Sequence, residues 1–187
     1  MVEIVEAEQS HEVGIERVLL HHLSGDTWDD THVPVRQLTT VGKEPVGRVA
    51  VEDGTVLGVM GAYDYSSMST MISERVSGIV QPSISSIPDD RATFLAYAYV
   101  DQHRRREGIG SSLLNNLLER AQEENNSDGA YTEAWIYDAD LDARGHLQSH
   151  NFEPFFWPQN YWSKDTVCSY HEIVECDCEG ALFRKNL

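Results

Sequence analysis

The chain has 187 residues, 41% of them hydrophobic, which suits one domain with a sizeable core. Thirty-one acidic residues against 14 basic ones leave a formal net charge of −17, which argues against nucleic acid as a partner. No run is long and apolar enough to span a bilayer, and the acidic start, Met1 to Glu6, lacks the basic head and apolar block of a secretion signal, so the expected location is the cytoplasm.

The acid is spread along the chain, and lysine occurs only at Lys43, Lys164 and Lys185. One reading is attraction of a basic partner. The other is a solvated acidic surface in molar salt, as in a halophilic archaeon, where the Debye length falls to about 3 Å and like charges hardly repel. The even spread favours the second.

Val2 to Ala7 alternates like an edge strand. Ser10 is placed to cap a helix carrying Ile15, Val18, Leu19 and Leu23 on one face and stopping near Gly25. Residues 26 to 42 read as a loop with a helix after Pro34. Val46 to Val51 and Thr55 to Tyr65 read as two strands of a hairpin, because Asp53-Gly54 joins them. Residues 66 to 90 are Ser-rich with Pro82 and Pro88. They read as a functional loop or lid, with a short helix or strand around Met71 to Val80.

Ala92 to Val100 is the next strand. Ile109, Leu113, Leu114, Leu117, Leu118 and Ala121 then fall on one helical face, and Asn125-Asn126-Ser127-Asp128-Gly129 ends that helix. Ala130 to Tyr137 predicts a strand, Leu141 to His150 a short helix, Phe152 to Trp157 a strand, and Ala181 to Arg184 a last one. The aromatic residues Phe155, Phe156, Trp157, Tyr161 and Trp162 suit hairpin packing or the wall of an acceptor pocket, where a ring face holds a cation.

The stretch from Val100 to Gly110 is the most informative. Three arginines, Arg104, Arg105 and Arg106, and two glycines, Gly108 and Gly110, lie between a strand and an amphipathic helix. A helix start presents unpaired N–H groups and about half a positive charge, so the pattern suits a phosphate or diphosphate. At least one arginine can fork such a group. A tight strand-to-helix turn with solvated arginines is the plainer account. No Gly-Lys-Ser/Thr follows, which excludes a P-loop, and Leu113 stands where a dinucleotide fingerprint needs its third glycine.

Val100 to Gly110, with Arg105-x-x-Gly108-x-Gly110 at its centre, resembles the acetyl-CoA signature of the GCN5-related N-acetyltransferases, the GNAT superfamily. The order of elements fits over most of the chain. The resemblance implies an α/β single domain over residues 1–187, with a mixed, mostly antiparallel sheet flanked by helices. It implies that the backbone N–H groups of Arg105, Arg106, Glu107, Gly108, Ile109, Gly110 and Ser111 hold the coenzyme's pyrophosphate. Tyr99 and Val100 would pair with pantetheine and polarise the thioester carbonyl.

The next family helix usually reads Asn-x-x-Ala-x-x-x-Tyr-x-x-x-Gly-Phe. Here it reads Asp140-x-x-Ala143-x-x-x-Leu147-x-x-x-Asn151-Phe152. Asp140 takes the asparagine's place on the cofactor side. Asn151 replaces the glycine and tolerates positive φ. Leu147 replaces the tyrosine that commonly protonates the departing thiolate, and leucine has no proton to give. The implied chemistry is direct transfer from acetyl-CoA, as co-substrate, to a primary amine. Glu133 is the first candidate for the general base, and it fits equally a solvent-facing glutamate. Tyr97, Tyr99, Tyr137, His146 and His150 are further candidates for proton transfer.

All three cysteines fall within eleven residues, as Cys168-x-x-His171-x-x-x-x-Cys176-x-Cys178. Three thiolates and an imidazole make a tetrahedral zinc set, and residues 163–180 would form a small insertion held by a structural zinc. Three reduced cysteines on a strand pair are the alternative. A disulfide would leave one thiol over.

The sequence therefore predicts an N-acetyltransferase acting on a small-molecule or peptide amine. The alternative is a non-catalytic acyl-CoA-binding or interaction module of the same fold, suggested by Leu147 and the cysteine cluster. A homodimer is compatible with both readings.

Overall fold

A computed structural model describes residues 1–23, 46–75, 90–136, 143–156 and 179–187. The first elements are β1 (Glu3–Glu6), α1 (Glu12–Leu23), β2 (Val46–Glu52), β3 (Thr55–Tyr65) and α2 (Met68–Arg75). Then come β4 (Ala92–Val100), α3 (Ile109–Glu123), β5 (Gly129–Ile136), α4 (Ala143–Ser149), β6 (Glu153–Phe156) and β7 (Glu179–Asn186). The fold class is the α/β one expected, a mostly antiparallel sheet flanked by helices. The chain divides into two compact units, Met1–Asp64 with Leu95–Asn125, and Tyr65–Phe94 with Asn126–Leu187.

In the first unit the strands run β1-β2-β3-β4. β1 pairs antiparallel with β2, from Glu3 opposite Val51 to Glu6 opposite Arg48. β2 and β3 form the expected hairpin, and its turn residues Asp53 and Gly54 both have positive φ, 49° and 74°. A type I′ turn requires that, and its twist matches the strands it joins. The register shifts between Ala50 and Val51, a bulge beside which the Arg17 guanidinium donates to the Val56 carbonyl at 2.7 Å.

The two faces of this sheet are covered by different helices. Val49 and Val59 are directly paired and cluster with Ile15 and Val18 of α1. Arg48, one residue earlier on β2, donates to Asn116 of α3 at 2.8 Å. Successive strand residues face opposite sides, so α1 and α3 lie on opposite faces. The chain enters α1 by a 3-10 turn, Gln9–His11, rather than by the expected cap at Ser10. Glu8 is the extended residue there. Its carbonyl accepts from His11 N–H at 2.9 Å and its N–H donates to His11 Nδ1 at 3.1 Å, so Ser10 lies inside the turn.

In the second unit the strand order is β4-β5-β7-β6, with Ala92–Phe94 as its part of β4. β7 pairs antiparallel with β5 along its whole length, from Gly129 opposite Asn186 to Ile136 opposite Glu179, and with β6 on its other side. α2 begins at Met68, three residues before the expected segment. The Ser67 hydroxyl accepts from Thr70 N–H at 3.2 Å, and Met68, Met71 and Ile72 are buried. Residues 76–89 of the expected loop lie outside the described residues.

Polar groups of this unit are consumed in packing. The buried Thr93 and Ser127 hydroxyls are 2.7 Å apart, and the Tyr131 hydroxyl donates to Met68 Sδ at 3.0 Å. The Arg184 guanidinium lies over the Tyr131 and Phe155 rings, 5.7 and 5.8 Å from their centroids. The expected loop and helix of residues 26–42, and the aromatic residues Trp157, Tyr161 and Trp162, lie outside the described residues.

Candidate cofactor cradle at the start of α3

The cradle is built from the end of β4 onward, within the first unit. Asp101 N–H donates to the Leu57 carbonyl of β3 at 2.8 Å, which fastens the strand end to the hairpin. The Asp101 carboxylate accepts from His103 N–H at 2.9 Å and its carbonyl from Arg104 N–H at 2.9 Å, closing a 3-10 turn over Gln102–Arg104. Arg105 is extended, Arg106 has φ 66°, and Gly108 has φ 84° and ψ 0°. α3 follows, and its first ladder bond runs from Ser112 N–H to Gly108 O at 2.9 Å.

The N–H groups of Ile109, Gly110 and Ser111 precede that bond, so they face the helix start with the positive end of the dipole. The first turn carries no acidic residue. Such a helix start suits an anion.

The two glycines do different things. Gly108 is needed by the chain itself, because its left-handed backbone strains any residue with a Cβ. Gly110 is helical, and a Cβ there would meet only Val100 Cγ2 at 3.7 Å, an ordinary contact. Among the described residues nothing demands it, whereas a group approaching the backbone from outside would.

Gly58 on β3 is a third glycine of the site, and the sequence reading passed over it. A Cβ there would lie 3.0 Å from Tyr99 O and 3.2 and 3.3 Å from side-chain atoms of Leu113 and Ile109. Its absence lets the start of α3 and the end of β4 close on β3. The available signal was a glycine inside the apolar run Val56 to Ala62, which marks a close backbone approach.

The three arginines also divide. Arg104 donates through Nε to Glu107 at 2.8 Å and through Nη1 to Glu52 at 3.0 Å. Those two carboxylates, Glu107 first, push its pKa further up. Glu52 is correspondingly lowered, first by its bond from the N-terminal ammonium and then by Arg104. Arg104 is thus committed within the chain, so the expectation that at least one of the three arginines forks a phosphate falls to Arg105 and Arg106. Arg105 reaches back with a long contact, Nε to Val100 O at 3.4 Å. Arg106 is exposed and makes no ion pair among the described residues.

Tyr97 and Tyr99 lie on β4 with their rings stacked at 6.4 Å and 19°. Burial raises both phenols, and at Tyr97 the neighbouring Tyr63 and Tyr99 add to it. The Tyr97 hydroxyl is buried without a hydrogen bond among the described residues, its ring filling the space that Gly61 leaves open. Both phenols therefore hold their protons at neutral pH.

Glu133 sits on β5 of the second unit, half-buried, opposite Leu182 of β7. His146 and His150 of the same unit have ring centroids 4.8 Å apart. Burial lowers both imidazoles. His150 adds to this at His146, and Lys185 adds to it at His150. Leu147, in the place of the family tyrosine, is the buried residue of α4. Asn151 takes φ 63°, as the replaced glycine would. Phe152 N–H donates to Leu147 O and Asn151 N–H to Gln148 O, each at 3.0 Å, which is a complete Schellman closure.

Asp140, Tyr137 and the set Cys168, His171, Cys176 and Cys178 lie outside the described residues. Among the described residues no group of three or more His, Cys, Asp or Glu is arranged to hold a metal ion. No described helix is long and apolar enough to cross a membrane.

The profile of the acetyltransferase (GNAT) family matches residues 15–152. No curated protein matches the sequence. A GCN5-related N-acetyltransferase from Kribbella flavida is 16% identical, with TM-score 0.65, covering 100% of this chain and 98% of the other. NAA60 from Arabidopsis thaliana, solved with acetyl-CoA, is 13% identical, with TM-score 0.68 and full coverage of both chains. The ribosomal-protein-S18-alanine N-acetyltransferase of Escherichia coli is 12% identical, with TM-score 0.62, covering 100% of this chain and 94% of the other. At these identities the likeness is one of fold.

Proposed function

The chain belongs to the GNAT acetyltransferase family, and from that premise we propose that it transfers the acetyl group of acetyl-CoA to a primary amine. The observation that carries this reading is the left-handed Gly108 opening α3 after the turn that follows β4, with a helical Gly110 that nothing among the described residues requires.

The N–H groups of Arg105 to Ser111 hold the pyrophosphate. Tyr99 and Val100, at the end of β4, bind pantetheine and orient the thioester carbonyl. The amine loses a proton to Glu133, directly or through water, and attacks the carbonyl carbon. A C–N bond forms, the C–S bond breaks, and the coenzyme leaves as its thiolate. Leu147 cannot protonate that thiolate, which takes its proton from another group or leaves unassisted. Asp140 belongs to the cofactor side in this reading.

Release of free thiol from acetyl-CoA across a panel of amino acids, polyamines and peptides tests the transfer, with calorimetry on coenzyme A alongside. Binding with amine-dependent thiol release is expected. Binding without release on any amine overturns the transfer, and absence of binding overturns the cradle as well. We read the acidic surface as an adaptation to molar salt in the cytoplasm, which a rising melting temperature from low to molar KCl supports and a flat one removes. The cysteine and histidine set is read as a structural zinc site on its spacing alone. About one equivalent of zinc per purified chain supports it, and under about a tenth of an equivalent ends it.

A further inference from the structure

We propose that Glu107 weakens the cradle's hold on the coenzyme's diphosphate and that Arg104 offsets this by pairing with it. The inference rests on the coenzyme reading above. Glu107 immediately precedes Gly108, so it belongs to the backbone segment that would receive two phosphates, and its carboxylate brings a negative charge to that segment. A carboxylate is the wrong charge for that position, and at physiological ionic strength it lies within a Debye length of the ligand.

Arg104 is held where it counters that charge. Its Nε is 2.8 Å from Glu107 Oε2, and its backbone N–H is fixed by the Asp101 carbonyl at 2.9 Å. The same guanidinium also reaches Glu52 at the end of β2, 3.0 Å away, and Glu52 is held from its other oxygen by the N-terminal ammonium at 3.1 Å. With the ammonium counted, two cations face two carboxylates and the cluster is neutral, while Glu52 still competes with Glu107 for the arginine. Arg105 and Arg106 provide the attraction, while Arg104 removes a repulsion.

This differs from a purely mechanical role in which Arg104 merely ties the cradle to the hairpin. A strut fails whenever the arginine is lost. A charge that neutralises Glu107 becomes dispensable once Glu107 itself is neutral.

Calorimetric titration of coenzyme A into the full chain at low ionic strength separates the two. Arg104→Gln is expected to weaken binding about threefold, the size of one screened unit charge acting on a diphosphate. Glu107→Gln alone is expected to tighten binding by a similar factor. The double variant R104Q/E107Q is expected to bind at least as tightly as the wild type, although both of its ion pairs are gone. All these contrasts should collapse near 1 M KCl.

A double variant as weak as R104Q, or a Glu107→Gln variant that binds no better than wild type, overturns the proposal while leaving the coenzyme reading intact. A wild-type chain that binds no coenzyme A overturns both. Matching melting temperatures for the wild type and Glu107→Gln show that the single variant reports charge and not folding.

Discussion

Two helix ends carry the resemblance to the family, and they have fared differently. At the start of α3 the chain keeps the pattern, and the geometry follows: Arg106 and Gly108 in left-handed conformations, then a helix whose ladder begins with Ser112 N–H on Gly108 O. At the end of α4 the chain departs from the pattern twice. Asn151 replaces a glycine yet completes the same Schellman closure at φ 63°. Leu147 replaces a tyrosine and turns a proton donor into packing. A backbone role survives substitution by any residue that tolerates the dihedral. A chemical role survives only with the functional group.

The largest expected effect breaks the α4 side. Leu147 is buried at 7% exposure, and Leu147→Ala should cost about 2–4 kcal/mol in urea denaturation. A loss below about 1 kcal/mol would show that Leu147 is not the packing residue that the comparison makes it. Next comes Gly108→Ala at the α3 start. Forcing a Cβ into φ 84° should cost about 1–2 kcal/mol and weaken coenzyme A binding at least about tenfold by calorimetry.

Asn151→Ala should cost about 1 kcal/mol, whereas Asn151→Gly should lie within a few tenths of wild type. Equal losses in both would mean that the asparagine side chain, not its dihedral, matters. Gly110→Ala sharpens the contrast from the other direction. It should leave stability unchanged or raise it by up to about 1 kcal/mol, because the site is helical with room for a methyl group, while coenzyme affinity falls. A fall in both would put the requirement for Gly110 inside the fold.

The smallest effect is one of pH. Burial lowers His146 and His150 below the ordinary value of 6.5, so the unfolded chain binds more protons than the folded one as pH falls through that range. Stability should therefore drop below about pH 6.5. The double variant His146→Gln/His150→Gln should show a shallower change in melting temperature between pH 5 and 7. An identical slope would remove the imidazoles from the account.

Periodicity and turn chemistry made much of the described fold legible in the sequence. Ala92 to Val100 is a strand to the residue, and the six apolar positions from Ile109 to Ala121 are the buried face of α3. Asp53-Gly54 turns the hairpin as its composition predicts. The site was less legible, because its supports are long-range. Arg104 looked like its neighbours until β2 placed Glu52 beside it, and Gly58 gains its meaning from the approach of Tyr99 and α3. Ser10 misled because several polar residues there compete for one cap, and the path of the chain out of β1 put Glu8 in the extended conformation.

The sequence by itself determined most of the described strands and helices and the hairpin turn at Asp53-Gly54, since each depends on dihedral preferences and on spacing within a few residues. Tertiary structure decided which charged side chains of the cradle are spent internally and which face outward. Ion pairs between segments fifty residues apart leave no local trace in a chain where nearly every segment carries acid.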